Sequence, residues 1–283
     1  MEIVASGASF DFDHCYSRRG QTRLSLDLAR LPYTTLYGLV CMSCCVLQAA
    51  QDGLAVQFNA PADASVCNFV SRLGFDRFLT DNLGFRCELP VSAGGTSENV
   101  VIDLRRLGDA NDLSPLEALL FDRLRGHGPS QVVTAICEAL WELGGNALEH
   151  AHGPGLLAAV VQRPDRSGQQ VQFAIGDIGI GIRRSFLDSP SSTRHPQTDH
   201  EAIDLAVVDL VSSSADPGRG QGLPTTIENV SGLGGRVMIR TGDALQIVSG
   251  ERREKKQPLA RVVSRRSVPY LGGTVVSVSI PCG

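Results

Sequence analysis

The chain has 283 residues, of which 42% are apolar, 20% charged and 5% aromatic, with a formal net charge of −4. That length suits two ordinary domains or one large one, the apolar content is enough to bury a core, and the acidic balance argues against general nucleic-acid coating. No apolar run approaches the ~20 residues of a membrane helix. Met1–Ser9 show neither the basic nor the apolar region of a secretory leader, so a cytoplasmic protein without membrane contact is expected.

From Thr22 to Leu28 apolar and polar residues alternate, a strand pattern. After Pro32, a helix is expected from Gly38 to Gln51. It carries Cys41, Cys44 and Cys45; a Cys-x-x-Cys pair can hold a metal, but no second Cys/His pair lies at a suitable spacing, and the core reading is preferred. Asp52-Gly53 is a turn, and Leu54–Phe58 reads as a strand. A second helix opens at Pro61-Ala62-Asp63, with Val66, Phe69, Val70 and Leu73 at helical spacing, and Gly74 is expected to end it. Strand, helix, strand, helix is the order of an α/β unit.

Residues 86–111 are turn-rich and are taken as a linker, with Val100–Leu104 as one candidate strand. Ser114-Pro115-Leu116-Glu117 reads as a capped helix start. A longer helix is expected from Ser130 to Ala151, with Val133, Ile136, Leu140, Leu143 and Ala147 on one stripe. Leu156–Gln162 and Val171–Ile175 read as strands. The polar stretch Gly181–Gly220 carries one helical run, Glu201–Val211, and a helix should follow Gly222. Val237–Arg240, Leu245–Val248, Leu259–Ser264 and Thr274–Ile280 read as four strands. The basic cluster Glu251–Lys256, with Arg261, Arg265 and Arg266, reads as a hairpin loop, either solvated or touching a phosphate backbone or an acidic partner.

Three short segments carry the chemistry. Glu142, Asn146 and His150 are spaced four apart and share a helix face. A carboxamide oxygen there suits Mg, and a carboxylate one turn away can orient or deprotonate a water or hydroxyl; a solvated helix face is the plainer reading. Asp177-Ile-Gly179-Ile-Gly181-Ile182 follows an apolar strand, where the glycines permit a sharp turn and Asp177 can accept a bond from an exocyclic amine. Gly218-Arg219-Gly220-Gln-Gly222-Leu223 precedes a helix, a placement that favours phosphate. Either glycine segment alone is also an ordinary turn.

The order Glu-x-x-x-Asn, Asp-x-Gly-x-Gly-Ile, Gly-x-Gly-x-Gly-Leu resembles the GHKL superfamily of histidine-kinase-like ATPases over roughly residues 112–281. The resemblance implies a two-layer α/β sandwich binding Mg-ATP beneath a mobile lid, here residues 183–219. It implies Asn146 as the Mg ligand, Glu142 as the catalytic carboxylate and Asp177 as the reader of the adenine amine. Gly179, Gly181 and Ile182 would form the first glycine box, and Gly218, Gly220, Gly222 and Leu223 the second. Thr274 would lie near adenine, and Arg219 would either touch the γ-phosphate or be solvated.

The N-terminal half resembles a STAS domain over about residues 20–80, through Leu26-Asp-Leu28-Ala-Arg-Leu-Pro32-Tyr33, Gly38-Leu39, Asn59-Ala-Pro61 and Val70-x-x-Leu73-Gly-Phe75. Leu36 and Tyr37 stand where that family carries its phosphorylatable serine, which favours docking over phosphoacceptance. The expectation is therefore a STAS-like domain at 1–85, a linker at 86–111 and an ATP-binding domain at 112–283. The functions expected are an ATP-dependent regulatory enzyme, either a kinase of the anti-sigma type or a slow ATPase, or else a nucleotide-gated interaction module. A protein partner is expected, a homodimer is left open, and nucleic acid is disfavoured.

Overall fold

The structure is a computed structural model that describes residues 23–29, 31, 34–84, 89, 100–126, 128–150, 155–162, 168–189, 193–207, 222–250 and 260–282, with the backbone alone at 150, 156–162, 250 and 260–266. The fold is mixed α/β. Five strands form one sheet in the order β3 (Val100–Leu107), β4 (Gly155–Gln162), β5 (Gln170–Gly176), β7 (Ala260–Pro281), β6 (Arg236–Gly250), each antiparallel to its neighbour. Two shorter strands, β1 (Arg23–Asp27) and β2 (Ala55–Asn59), pair in parallel across helix α1 (Leu36–Gln51), because a parallel pair needs a crossover long enough to hold a helix.

Alternation along the strands splits the side chains between two cores. Val171, Phe173 and Ile175 of β5, with Val276, Val278 and Ile280 of β7, face a front core. There they meet α4 (Leu113–Leu124), α5 (Ser130–His150) and α8 (Gly222–Gly232), completing the expected two-layer sandwich. Ala174, Leu245, Val268, Leu271 and Val275 face a back core shared with α1. Every residue from Leu36 to Ala49 in α1 is buried. A helix with no polar face needs cover on all sides, and α1 finds it between the β1–β2 pair and the back of the large sheet.

The smaller N-terminal α/β unit is completed by α2 (Ala64–Arg72) and α3 (Phe75–Leu83). Gly74 does end α2, but its left-handed backbone, φ 74°, starts α3 at once. Phe75, Phe78 and Leu79, at helical spacing, bury the face of α3. Thr35 caps α1, accepting the Gly38 N–H at 3.1 Å. Leu36 and Tyr37 are buried, so neither side chain is presented to solvent.

The stretch 86–111 contributes β3, an edge strand of the large sheet. Its Leu104 N–H also donates to Leu73 O at 2.8 Å, tying sheet and N-terminal unit together. Asp112, rather than Ser114, precedes α4, and it closes a capped 3-10 turn at Ala110–Asp112: Asp109 Oδ1 accepts the Asn111 N–H, and Asp112 Oδ2 accepts those of Gly108 and Asp109. The four short strands expected after residue 236 are two long ones, bent by register shifts around Gly242. A bulge there bends the ladder without ending it. The basic cluster Glu251–Lys256 lies outside the described residues.

Candidate functional site

The first cluster forms where β5 runs out. The Asp177 N–H donates to Thr274 O on β7 at 2.8 Å, and its Oδ1 accepts the Gly179 N–H at 2.7 Å. Only 7% of Asp177 is exposed. Burial pushes its carboxyl up to about 7, against the opposing pull of backbone bonds from Gly179 and Thr274.

Gly273 makes this contact possible. Its φ is +84°, and a Cβ there would collide with the Asp177 carbonyl and lie 2.7 Å from Oδ1. Gly181, φ +75°, opens α6 (Gly181–Asp188) with its Cα face 2.8 Å from the Thr241 hydroxyl, measured from where a Cβ would stand. Thr241 Oγ1 accepts the Ile182 N–H at 3.1 Å and donates to Gly273 O at 3.1 Å, and the Thr274 hydroxyl lies 3.4 Å from it. One buried hydroxyl thus fastens the glycine turn to β7. Sequence reasoning missed Thr241, since a threonine in a strand is ordinary and its partner Ile182 is 59 residues away.

The second cluster lies along α5 and α8. Glu142 is exposed and Asn146, one turn on, is half-buried. The Glu142 carboxylate occupies the space a Cβ would take at Gly222, the first residue of α8. Further back, Asn229 Nδ2 donates to Glu138 Oε2 at 2.6 Å, a second tie between the helices. Gly144 lets α4 and α5 meet closely: a Cβ there would lie 2.7 Å from Leu113 and 3.7 Å from Ile175 of β5.

Asp177, Gly179, Gly181, Ile182 and Thr274 therefore form one group, and Glu142, Asn146, Gly222 and Leu223 another. Ile182, Leu223 and Leu148 all pack on the front core, which places both groups along its margin. Gly218, Arg219 and Gly220 lie outside the described residues, as does the His150 side chain. Of the expected lid, α6 and α7 (Asp199–Val207) are helical, held together by Phe186, Ala202 and Leu205.

A cleft of about 270 Å³ opens on the α6–α7 side of the glycine turn, lined by Gly181, Arg183, Asp199, Thr241, Tyr270 and Gly273 among others. Glu142, Asn146 and Asp177 do not line it, so it is not the space between the two groups. Its charged groups already have partners: Arg183 Nε donates to Pro196 O at 3.2 Å, Arg184 Nε to Asp188 Oδ2 at 2.6 Å, and Asp199 Oδ2 accepts the Asp243 N–H at 3.0 Å.

The cysteines behave as core residues. Cys41, Cys44, Cys45, Cys67, Cys137 and Cys282 are buried, and burial pushes the Cys45 thiol up to about 12. Among the described residues no three His, Cys, Asp or Glu side chains gather as a metal cage. Mg does not need one, since it is commonly held by one or two protein oxygens with water and phosphate completing its shell; Asn146 is a suitable oxygen.

No family model matches the chain, and no curated protein matches it. Among solved structures, a mycobacterial sensor histidine kinase, MprB, is 15% identical, over 63% of this chain and 97% of that one, with a TM-score of 0.29. A likeness at that score carries no argument about function. No helix among the described residues is long and apolar enough to cross a membrane. The chain is a mixed α/β protein whose glycine turn and buried aspartate are locked to the neighbouring strand.

Proposed function

We propose that this chain binds Mg-ATP and acts as an ATP-dependent regulatory enzyme, a protein kinase of the anti-sigma type or a slow ATPase, working on a protein partner. The observation that supports this best is the buried Asp177 carboxylate, held by Gly179, Gly273 and Thr274. A buried carboxylate costs stability unless it is paired and hydrogen-bonded, and carboxyls perturbed in this way cluster at functional sites. Asp177 offers an amine-bearing base an acceptor of fixed position. Asn146 offers a metal an oxygen, and Glu142, exposed beside the start of α8, can orient or accept a proton from a water or hydroxyl. When bound, Mg-ATP supplies the transferable phosphoryl group and the metal's charge.

Calorimetric titration tests the assignment. ATP is expected to bind at least about tenfold more tightly than GTP, since a site built for a particular hydrogen bond rejects a base that lacks it. Asp177→Asn narrows that gap, and Asn146→Ala loses Mg-dependent binding. Equal wild-type affinity for both nucleotides overturns the role of Asp177. Glu142→Ala is expected to lower phosphate release or transfer by about 10²–10⁴ while ATP affinity changes only a few-fold; unchanged turnover removes Glu142 from the mechanism.

The contact of α1 with the back of the sheet favours a second reading, a nucleotide-gated docking module with little turnover. Hydrogen exchange over residues 183–219 separates the two: protection by Mg-ATP without measurable phosphate release supports the module, and unchanged exchange counts against it.

A further inference from the structure

We propose that Cys44 is a positioning residue for Asp177: seated with Val40 on Gly176, it holds the strand end that presents the carboxylate, so that the N-terminal unit forms the rear wall of the nucleotide site. The nucleotide part of this proposal rests on the function proposed for the chain; the positioning part does not.

Gly176 is the last residue of β5. A Cβ there would lie 2.9 Å from each of Cys44 Sγ, Val40 Cγ1 and Val275 Cγ2. Real Cβ atoms do not approach so closely, so α1 sits nearer the sheet at this point than any other residue would permit. Ile178, on the other side of Asp177, belongs to the back core that α1 anchors. Gly176 is thus pinned from behind by the N-terminal unit, and Ile178 belongs to the same back core.

In front, Gly179, Gly273 and Thr274 hold the aspartate's own amide and carboxylate. The front contacts fix the turn, and the rear contacts decide how deep the carboxyl lies and how completely water is kept from it. The cause that most raises the Asp177 carboxyl is burial, and the Cys44 thiol of α1 lies near enough to feel the charge of that carboxyl.

The titratable groups around this point leave the thiol as a neutral filler. On α1 these are Cys44, with Cys41, Cys45 and Tyr37 along the same helix. Burial first, then Cys41, Asp177 and Cys45, raise the Cys44 thiol well above its usual range, so it stays protonated. On β6 the nearest charge is Arg240, whose guanidinium donates to the Tyr37 hydroxyl at 3.4 Å and to Pro269 O at 2.9 Å. From β7 the Thr274 backbone and the Gly273 Cα face reach the carboxyl, and among the described residues no charged group of α5 is a cause of its shift.

The test uses the full chain and two readouts. The first is the titration midpoint of the Asp177 carboxyl without nucleotide, followed by 13C NMR and assigned with Asp177→Asn. The second is the ratio of ATP to GTP affinity. Cys44→Ala opens space against Gly176 and is expected to lower the midpoint by about one pH unit, because a wetter carboxyl ionises more easily. The same variant should cut the ATP preference about fivefold, as expected for a loosened polar contact. Cys44→Ser, which restores most of the volume and whose hydroxyl can bond back to the Val40 carbonyl one turn earlier, should restore the preference to within about twofold of wild type. Val40→Ala, on the same contact, should move both readouts in the direction of Cys44→Ala and decides the matter if that variant does not fold.

Met42→Ala deletes more buried volume from the same helix and should leave both readouts in place while lowering the melting temperature. A folded Cys44→Ala with wild-type midpoint and preference overturns the proposal. So does a Met42→Ala that moves them equally. If the wild type binds no nucleotide, the proposed function falls and the carboxyl midpoint alone still decides the positioning role.

Discussion

Gly273→Ala is expected to melt on the order of 10 °C below the wild-type protein, while Gly53→Ala melts within a few degrees of it. Both glycines have positive φ, 84° and 68°. An L-residue in that region costs roughly 1–2 kcal/mol, and both variants bear this cost. The difference lies in what a Cβ meets. At Gly53 there is nothing within 4 Å. At Gly273 it meets the Asp177 backbone carbonyl, which cannot swing aside as a side-chain tip can, and the Asp177 carboxyl.

Forcing atoms into such a contact adds roughly 1–3 kcal/mol, and a chain of this size loses about 2–4 °C for each kcal/mol. Because the displaced atoms belong to Asp177, Gly273→Ala should also lose ATP binding, and Gly53→Ala should keep it. Thermal melts with parallel calorimetry check both. Equal melting of the two variants would mean that β7 and the Asp177 turn are not in contact.

The residues most visible in the sequence are those whose role is local. The periodic stripe of α5 and the spacing of Glu142 and Asn146 follow from one helix. Asp177, Gly179 and Gly181 sit within a single turn, so their type and spacing already describe it. Other features depend on pairs far apart in the chain. Thr241 acts on Ile182 and Gly273, and nothing near residue 241 marks it out. Gly176 meets Cys44 from a distant part of the chain, and only the structure shows why a glycine stands there.

The position of the N-terminal unit is half-legible. Leu36–Ala49 is apolar on every side apart from Ser43 and Gln48, which demands cover on two sides, but sequence does not say that one cover is the back of the large sheet. The bend in β6 reads as a chain break for a physical reason. Gly242 and Asp243 look like a turn, yet Asp199 fills the space beside Gly242 and accepts the Asp243 N–H, holding the strand through the interruption.

Acidification should weaken ATP binding through Asp177, about tenfold per pH unit below about 7. The adenine amine needs an acceptor, and only the ionised carboxyl is one on both oxygens. Above the midpoint the carboxylate is already formed and affinity levels off. Below it, binding must expel a proton, and proton release into buffer should be measurable near pH 6. The phosphates of ATP protonate too, but that affects every variant alike. The ratio of wild-type to Asp177→Asn affinity therefore isolates the residue, and that ratio should fall with acid.

Folding carries the same signature with the opposite preference. The carboxyl is raised in the folded protein, to about 7, from about 3.9 in an unfolded chain. Between those values the folded state holds the proton and the unfolded state does not, so stability is greatest below about 4 and falls as pH rises through about 7. The full loss is on the order of 4 kcal/mol. Asp177→Asn has no ionisation to suppress, so it should gain on the wild type in melting temperature from pH 5 to pH 8. Wild type and variant changing in parallel over that range would show that the carboxyl is not buried as the contacts with Gly273 and Thr274 require. The two measurements pull against each other at one atom group: the charge that ATP needs is the charge the fold resists, and bound nucleotide should offset that resistance most at neutral pH.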